Sequence, residues 1–350
     1  MSTNPTSVVW DLTYTCPLRC VHCYSESGRR PARKLGRDDM LRVADAIVSV
    51  RPETVALTGG EPLVVPEVFE LARRFTAAGS RVYLYTGGWP MKPAMVDDLA
   101  ESCHKVIVSV DGATAEVHDQ VRGRAGSFER AMTALALLDQ GARERRERGA
   151  KPLNFGLDCV VLRSSFAQLE LFCTDIVPRF PEMTELVFGA VVPTGLASRT
   201  GFAEHELLTD EQMAQMRDDA FLDRLQALAP SSVRVFCQDN IELQMNPAQI
   251  AAKAESEQIM VVEPDGEVRA MTNYEGTVGN LLTEPVPVLW QRAIDRWTHP
   301  VVVDAMSDVD TMADWAVATR RIDYYFGSDD VRDRIDRRPE FTAPISLSTP

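Results

Sequence analysis

Three cysteines stand within eight residues as Cys16-Pro-Leu-Arg-Cys20-Val-His-Cys23, a Cys-x3-Cys-x2-Cys spacing. Thiolates are soft ligands that suit zinc and iron–sulfur clusters rather than hard cations, so this stretch is a candidate metal centre. A structural zinc site closes its coordination sphere with four protein ligands. No fourth Cys or His stands at a familiar zinc spacing; His22 is nearest, and it adjoins Cys23. A [4Fe-4S] cluster usually takes four cysteines, so three leave one iron open to an outside ligand. An open iron is a place for a reaction.

Ligands of that kind need rigid elements behind them. Val8 to Tyr14 reads as a strand running directly into the cysteine loop. A helical pattern over 38–48 leads to a strand at Thr54–Thr58, which ends in Gly59-Gly60-Glu61. A helix over 66–78 closes at Gly79, a strand over 81–85 ends in Thr86-Gly87-Gly88, and another strand covers 105–110. Two further units follow: helix 127–140 into strand 153–162, then helix 165–176 into strand 185–191. Alternation of this type predicts parallel strands joined by right-handed crossovers. The fold class is therefore α/β, a partial (β/α)6 TIM-like barrel. In such barrels the reactive residues sit at the C-terminal rim of the strands, where Cys16, Gly59, Thr86 and Ser109 all fall. Two glycines in the Gly59-Gly60 turn let the backbone approach a ligand closely. The charge run Arg143 to Arg148 reads as a solvated helix end. Cys103, Cys159 and Cys173 read as small buried hydrophobes, and His104, His118 and His205 as loop or surface residues.

Cys16-x3-Cys20-x2-Cys23 followed by Tyr24, with Thr58-Gly59-Gly60-Glu61-Pro62 one βα unit later, resembles the radical S-adenosylmethionine (radical SAM) superfamily. The resemblance implies Cys16, Cys20 and Cys23 as ligands of one [4Fe-4S] cluster whose open iron binds S-adenosylmethionine. That nucleotide is cleaved to methionine and a 5′-deoxyadenosyl radical. It implies His22 near the adenine, Gly59, Gly60 and Glu61 at the SAM amino group, and Thr86 on the same rim. Ser109-Val-Asp111-Gly112 and Arg122 resemble the strand-four motif and following loop whose Ser and Arg contact the SAM ribose and carboxylate.

Val192-Pro193-Thr-Gly195-Leu-Ala197 and the block Ile259 to Val268 resemble the SPASM and twitch subgroup, a small C-terminal α+β extension. Asp265-Gly266 between apolar runs predicts a hairpin. The subgroup's cysteine after Pro-Asp-Gly is missing: Arg269-Ala270-Met271-Thr272 stands there, and no cysteine follows Cys237. The expected organisation is a barrel over 1–200, a linker helix and degenerate SPASM/twitch-like domain over 201–300, and a tail over 301–350 in which Trp315, Tyr324, Tyr325 and Phe326 pack. Without an auxiliary cluster, redox-neutral outcomes are favoured: epimerisation, decarboxylation or rearrangement. Epimerisation needs a thiol as hydrogen donor, for which Cys237 is the candidate.

A net charge of −14 excludes the basic face of a nucleic-acid binder and disfavours an anionic membrane surface. No apolar run approaches a membrane span of about 18 residues, and no export signal opens the chain. Seven scattered and clustered cysteines fit a reducing, cytoplasmic setting. The expected substrate is a small natural-product intermediate of antibiotic biosynthesis (aminoglycoside, sugar or nucleoside), since only fifteen residues precede Cys16. The alternatives are a ribosomal peptide matured by the enzyme, and a noncatalytic metal-binding protein. A reducing partner such as flavodoxin or ferredoxin completes the expectation.

Overall fold

The computed structural model describes residues 4–252 and 258–343. Seven parallel strands come first: β1 (Ser7–Asp11), β2 (Thr54–Thr58), β3 (Arg81–Thr86), β4 (Lys105–Ser109), β5 (Phe155–Val161), β6 (Glu185–Ala190) and β7 (Arg234–Gln238). They are followed by β8 (Ile259–Val262), β9 (Glu267–Arg269) and β10 (Thr277–Asn280). All belong to one sheet in the order β10-β9-β8-β1-β2-β3-β4-β5-β6-β7. β8 pairs with β1 in parallel, whereas β9 and β10 pair antiparallel. Nothing pairs β7 with β8 among the described residues, so the barrel is not closed.

The strands are runs of Val, Leu and Ile because a parallel sheet is covered on both faces. Their crossovers are α1 (Arg37–Ser49), α2 (Val68–Ala77), α3 (Val96–Ser102), and the pair α4 (Ala115–Arg122) and α5 (Ser127–Glu147) between β4 and β5. α1 buries Met40, Val43, Ala44 and Ile47, the i, i+3, i+4, i+7 stripe of a helix lying on a sheet. Trp10 of β1 meets Phe75 of α2 edge-on, 6.3 Å between ring centres. That contact joins the sheet to its helix layer.

The partial barrel agrees with the alternation of elements, and the sheet continues past it. β7 adds a parallel strand to β6, and the hairpin extension joins the barrel because Ser7–Trp10 pairs with Ile259–Val262. Two local readings are corrected. The helix expected over 165–176 is broken into 3₁₀, α and π segments between Phe166 and Arg179, the last of which contains Pro178, a residue with no backbone N–H to continue an α-helical ladder. Arg145, expected in a solvated charge run, is 4% exposed and pairs with Asp97 (2.5 Å) and Glu101. It ties α5 to α3.

Helices Val286–Trp297, Pro300–Met306, Met312–Phe326 and Asp329–Asp336 cover the extension. Trp297 Nε1 donates to the Ala270 carbonyl (2.7 Å), and Trp315 Nε1 donates to the Tyr274 hydroxyl (2.7 Å). Trp315 is packed as expected, while Tyr324 and Tyr325 stand about half exposed. The last residues of the expected tail, 344–350, lie outside the described residues. No helix among the described residues is long and apolar enough to cross a membrane.

Arg269, in the place of the missing cysteine, is fully buried. Its Nε lies 2.9 Å from Glu263 Oε1 and its Nη1 donates to the Tyr274 carbonyl. Removing one partner of a buried pair strands the other charge, at a cost of about 3–5 kcal/mol. Arg269→Met is therefore expected to lower the urea midpoint sharply, and the double change with Glu263→Leu to recover much of the loss. Equal midpoints for wild type and the single variant would contradict this.

Candidate functional site

The loop between β1 and α1 carries Cys16, Cys20 and Cys23, and its backbone is pinned on two sides. Arg19 N and Val21 N donate to the carbonyls of Arg122 and Val121 at the end of α4 (2.9 Å each), and Leu196 N donates to the Cys23 carbonyl (3.1 Å). Each sulfur meets a polar neighbour. Leu18 N donates to Cys16 Sγ (3.4 Å), Arg122 Nη1 donates to Cys20 Sγ (3.8 Å), and Ser25 Oγ lies 3.6 Å from Cys23 Sγ. The three thiols are free.

They line a cavity of about 420 Å³ together with His22, Gly59, Gly60, Glu61, Thr86, Ser109 and Arg122. Loops at the C-terminal ends of β1 to β4 thus deliver ten of the eleven site residues expected from the sequence to one place. Among the described residues, no three His, Cys, Asp or Glu groups stand close enough to share a single metal ion. A cubane has a different requirement, a separate iron for each thiolate. Burial pushes the Cys16 thiol up to about 12 and the Cys20 thiol up to about 11, with Arg122 acting against it at Cys20. Both are neutral until a metal displaces their protons.

Glu61 and Thr86 are engaged with each other. The Glu61 carboxylate accepts from Thr86 Oγ1 (2.7 Å), Leu63 N (3.1 Å) and Gly87 N (3.0 Å). Burial lifts it to about 7 against these donors. They brace the β2 turn against the end of β3. The turn is also held to the cysteine loop, through Gly60 N to Thr13 O (2.6 Å) and Glu61 N to Thr15 O (3.0 Å).

Arg122, expected to reach a ribose or carboxylate, is committed inside the protein. Its Nη2 donates to Asp111 Oδ1 (2.8 Å), and its Nε lies 2.7 Å from Asp111 Oδ2, off line for a hydrogen bond. Asp111 Oδ1 also accepts from Val160 N (3.0 Å), and His22 Nε2 stands 3.5 Å from Oδ2. Burial pulls His22 down to about 4, so the ring is neutral at physiological pH. Its buried Nδ1 has no protein partner.

Cys237 is the residue not brought in. It lies in register with Phe188, whose ring meets Phe172 of the helix layer edge-on (5.5 Å). Side chains alternate faces along a strand, so Cys237 shares the helix-facing side and is absent from the cavity wall. That geometry separates the expected hydrogen donor from the other ten residues.

Tyr24 and Asp111 stand in the sequence motifs without an assigned role, and Asp11 was not singled out. Asp11, at the end of β1, accepts from Tyr24 (2.6 Å) and Thr58 (2.7 Å), which both line the cavity. The available signal was an acidic residue closing an apolar strand, as in Ser109-Val-Asp111.

His118, expected at the surface, is 1% exposed, and its Nδ1 accepts from Asp111 N (3.2 Å). Burial pulls it down to about 4. Below pH 6.5 the unfolded chain binds a proton here that the folded chain refuses. Stability therefore falls as pH drops from 6.5 to about 4, by about 3 kcal/mol in all. Denaturant midpoints of His118→Gln relative to wild type should converge over that window. The variant isolates the effect because Asp158, pushed up to about 7 by burial, contributes the opposite slope in both proteins.

The Radical SAM superfamily model matches residues 10–141. An AdoMet-dependent heme synthase of Methanosarcina barkeri is 41% identical over 140 residues, 39% of this chain and 40% of that protein. The mycofactocin maturase MftC of Mycobacterium ulcerans is 42% identical over 135 residues, 38% of this chain and 36% of that protein. The chain thus spans less than half the length of these curated relatives. Among solved structures, Streptococcus suis SuiB bound to its precursor peptide SuiA superposes with a TM-score of 0.62 at 14% identity, covering 98% of this chain and 76% of that one. At that identity the likeness is one of fold.

Proposed function

This chain belongs to the radical SAM superfamily, and from that premise we propose that it is a peptide-modifying enzyme that removes hydrogen from an unactivated C–H bond of a ribosomally made precursor. The family's cofactors are one [4Fe-4S] cluster and S-adenosylmethionine. The residues fit them: three free thiols on one cavity wall, a glycine turn beside them, and an unpartnered His22 Nδ1. Cys16, Cys20 and Cys23 would hold the cluster, and Gly59, Gly60 and Ser109 would meet the nucleotide. When bound, that pair supplies a 5′-deoxyadenosyl radical able to abstract hydrogen.

The protein's own part is to position and to exclude water. The Asp111 and Arg122 pair sets a positive charge against Cys20 Sγ and fixes His22 on the cavity wall. Glu61 and Thr86 lock the turn, and the loop Gly195–Ser198 seals the cysteine loop from the β6 side.

The observation that carries the peptide reading is the likeness of the cysteine-bearing part, 42% identity over 135 residues, to the mycofactocin maturase MftC. It favours the peptide over the aminoglycoside, sugar or nucleoside first expected. The heme synthase supports a second reading, a small non-peptide metabolite. The test is anaerobic reconstitution followed by incubation with deuterated precursor peptides and deuterated metabolites. Deuterium in 5′-deoxyadenosine from the peptide alone supports the proposal; label from the metabolite alone rejects it.

A further inference from the structure

We propose that the outer face of the Cys16–Cys23 loop is the docking surface for an acidic one-electron carrier protein of the flavodoxin type; the proposal rests on reading the three thiols as ligands of a redox cluster. Six consecutive carbonyls, from Cys16 to Val21, are capped by guanidinium groups. Arg19 donates to Cys16 O (2.9 Å) and Leu18 O (2.8 Å), and Arg124 to Pro17 O (2.6 Å). Arg29 donates to Arg19 O and to Cys20 O (3.1 Å), and Arg199 to Val21 O (3.1 Å).

Arg19, Arg29 and Arg124 are exposed. Among the described residues, none of the three has a carboxylate within ion-pair distance, whereas surface arginines elsewhere do, as in Arg37 with Glu70 or Arg217 with Asp239. Carbonyl oxygens hold these guanidiniums in place without neutralising them. Arg124 and Arg130 both lie over the ring of Trp89, at 3.7 and 5.5 Å, which extends the patch and gives it an aromatic floor. In a chain of net charge −14, this is a local positive field on the backbone of the loop that carries the cysteines.

None of the four lines the cavity, so the patch serves something that approaches from outside. Electron transfer falls steeply with distance, and this loop is the layer between solvent and the cysteines. An acidic carrier is repelled by most of this surface and attracted here, which fixes its orientation. In the transfer, an anionic flavin hydroquinone loses one electron to become the neutral semiquinone. A cluster held by Cys16, Cys20 and Cys23 would take up that electron, and the flavin's N5 proton stays in place.

The test is calorimetric titration of the cluster-loaded protein with an oxidised acidic flavodoxin at low and physiological ionic strength. In the triple variant Arg19→Gln, Arg29→Gln, Arg124→Gln, the side chains carry no charge, and cluster absorption reads whether the loop keeps its shape without the guanidinium caps. Affinity is expected to fall about tenfold and the salt dependence to flatten, with cluster absorption kept. Arg130→Glu, which caps none of these carbonyls, is expected to weaken binding about fivefold. Wild-type affinity and salt slope in both variants would overturn the proposal, as would displacement of the flavodoxin by an acidic peptide, which would give the patch to substrate. If the reading of the thiols is itself wrong, wild-type protein shows no cluster absorption before any flavodoxin is added, a separate and earlier failure.

Discussion

Cys20→Ala is expected to abolish the charge-transfer absorption of anaerobically reconstituted protein and to bring 5′-deoxyadenosine formation down to background. Cys20 Sγ sits between the loop and Arg122 Nη1 (3.8 Å), while that guanidinium keeps its bond to Asp111 at 2.8 Å when the sulfur is removed. The loop keeps its backbone bonds to α4 as well, so the fold should survive, as far-ultraviolet circular dichroism would report. Losing an outer-shell partner of a metal ligand typically brings a 10–100-fold effect, and removal of the ligand should exceed it. A variant that kept full turnover would show that Cys20 is not a ligand.

Gly60→Ala should give nearly as large an effect by a different route. A Cβ at Gly60 would lie 2.3 Å from the Thr15 carbonyl oxygen and 3.1 Å from Cys16 Cβ. The nearer obstacle is backbone, so the glycine turn and the cysteine loop must move apart. A displacement of about 1 Å in a reacting geometry costs on the order of 100-fold in rate. SAM cleavage is therefore expected to fall about that far while cluster absorption, which depends on the thiols alone, persists. Gly36→Ala is the control: nothing lies within 4 Å of its added Cβ. Equal rates for the two variants would remove the close approach from the argument.

The barrel and most of the site were legible because parallel strands and rim residues leave local marks. Thr54–Thr58 is a β-branched and apolar run that breaks at two glycines, and both strand and turn stand where that pattern places them. Roles that depend on a partner far along the chain were not legible. Nothing near Arg122 in sequence shows that Asp111 claims it, because that pairing needs the end of β4 and the end of α4 to converge. Arg269 looked like a gap left by a cysteine, yet it is a buried cation matched to Glu263 six residues before it. Cys237 was misplaced because facing is decided by strand register, and β7 was not recognised as a strand.

The helix Asp329–Asp336 and the residues just after it bear on the start of the chain. Arg334 Nε and Arg338 Nη2 both donate to Glu26 Oε1, at 2.9 and 2.7 Å, and Arg334 also pairs with Glu275. Glu26 stands three residues after Cys23, and the clasp spans more than 300 positions of sequence. During synthesis the cysteine loop, with Glu26 at its end, therefore emerges some 308 residues before Arg334 of the latch that ties it down. Until the latch has folded against it, the loop lacks its two guanidinium partners at Glu26. A chain stopped before Asp329 should take up markedly less iron on reconstitution than the whole chain, as measured by iron per polypeptide.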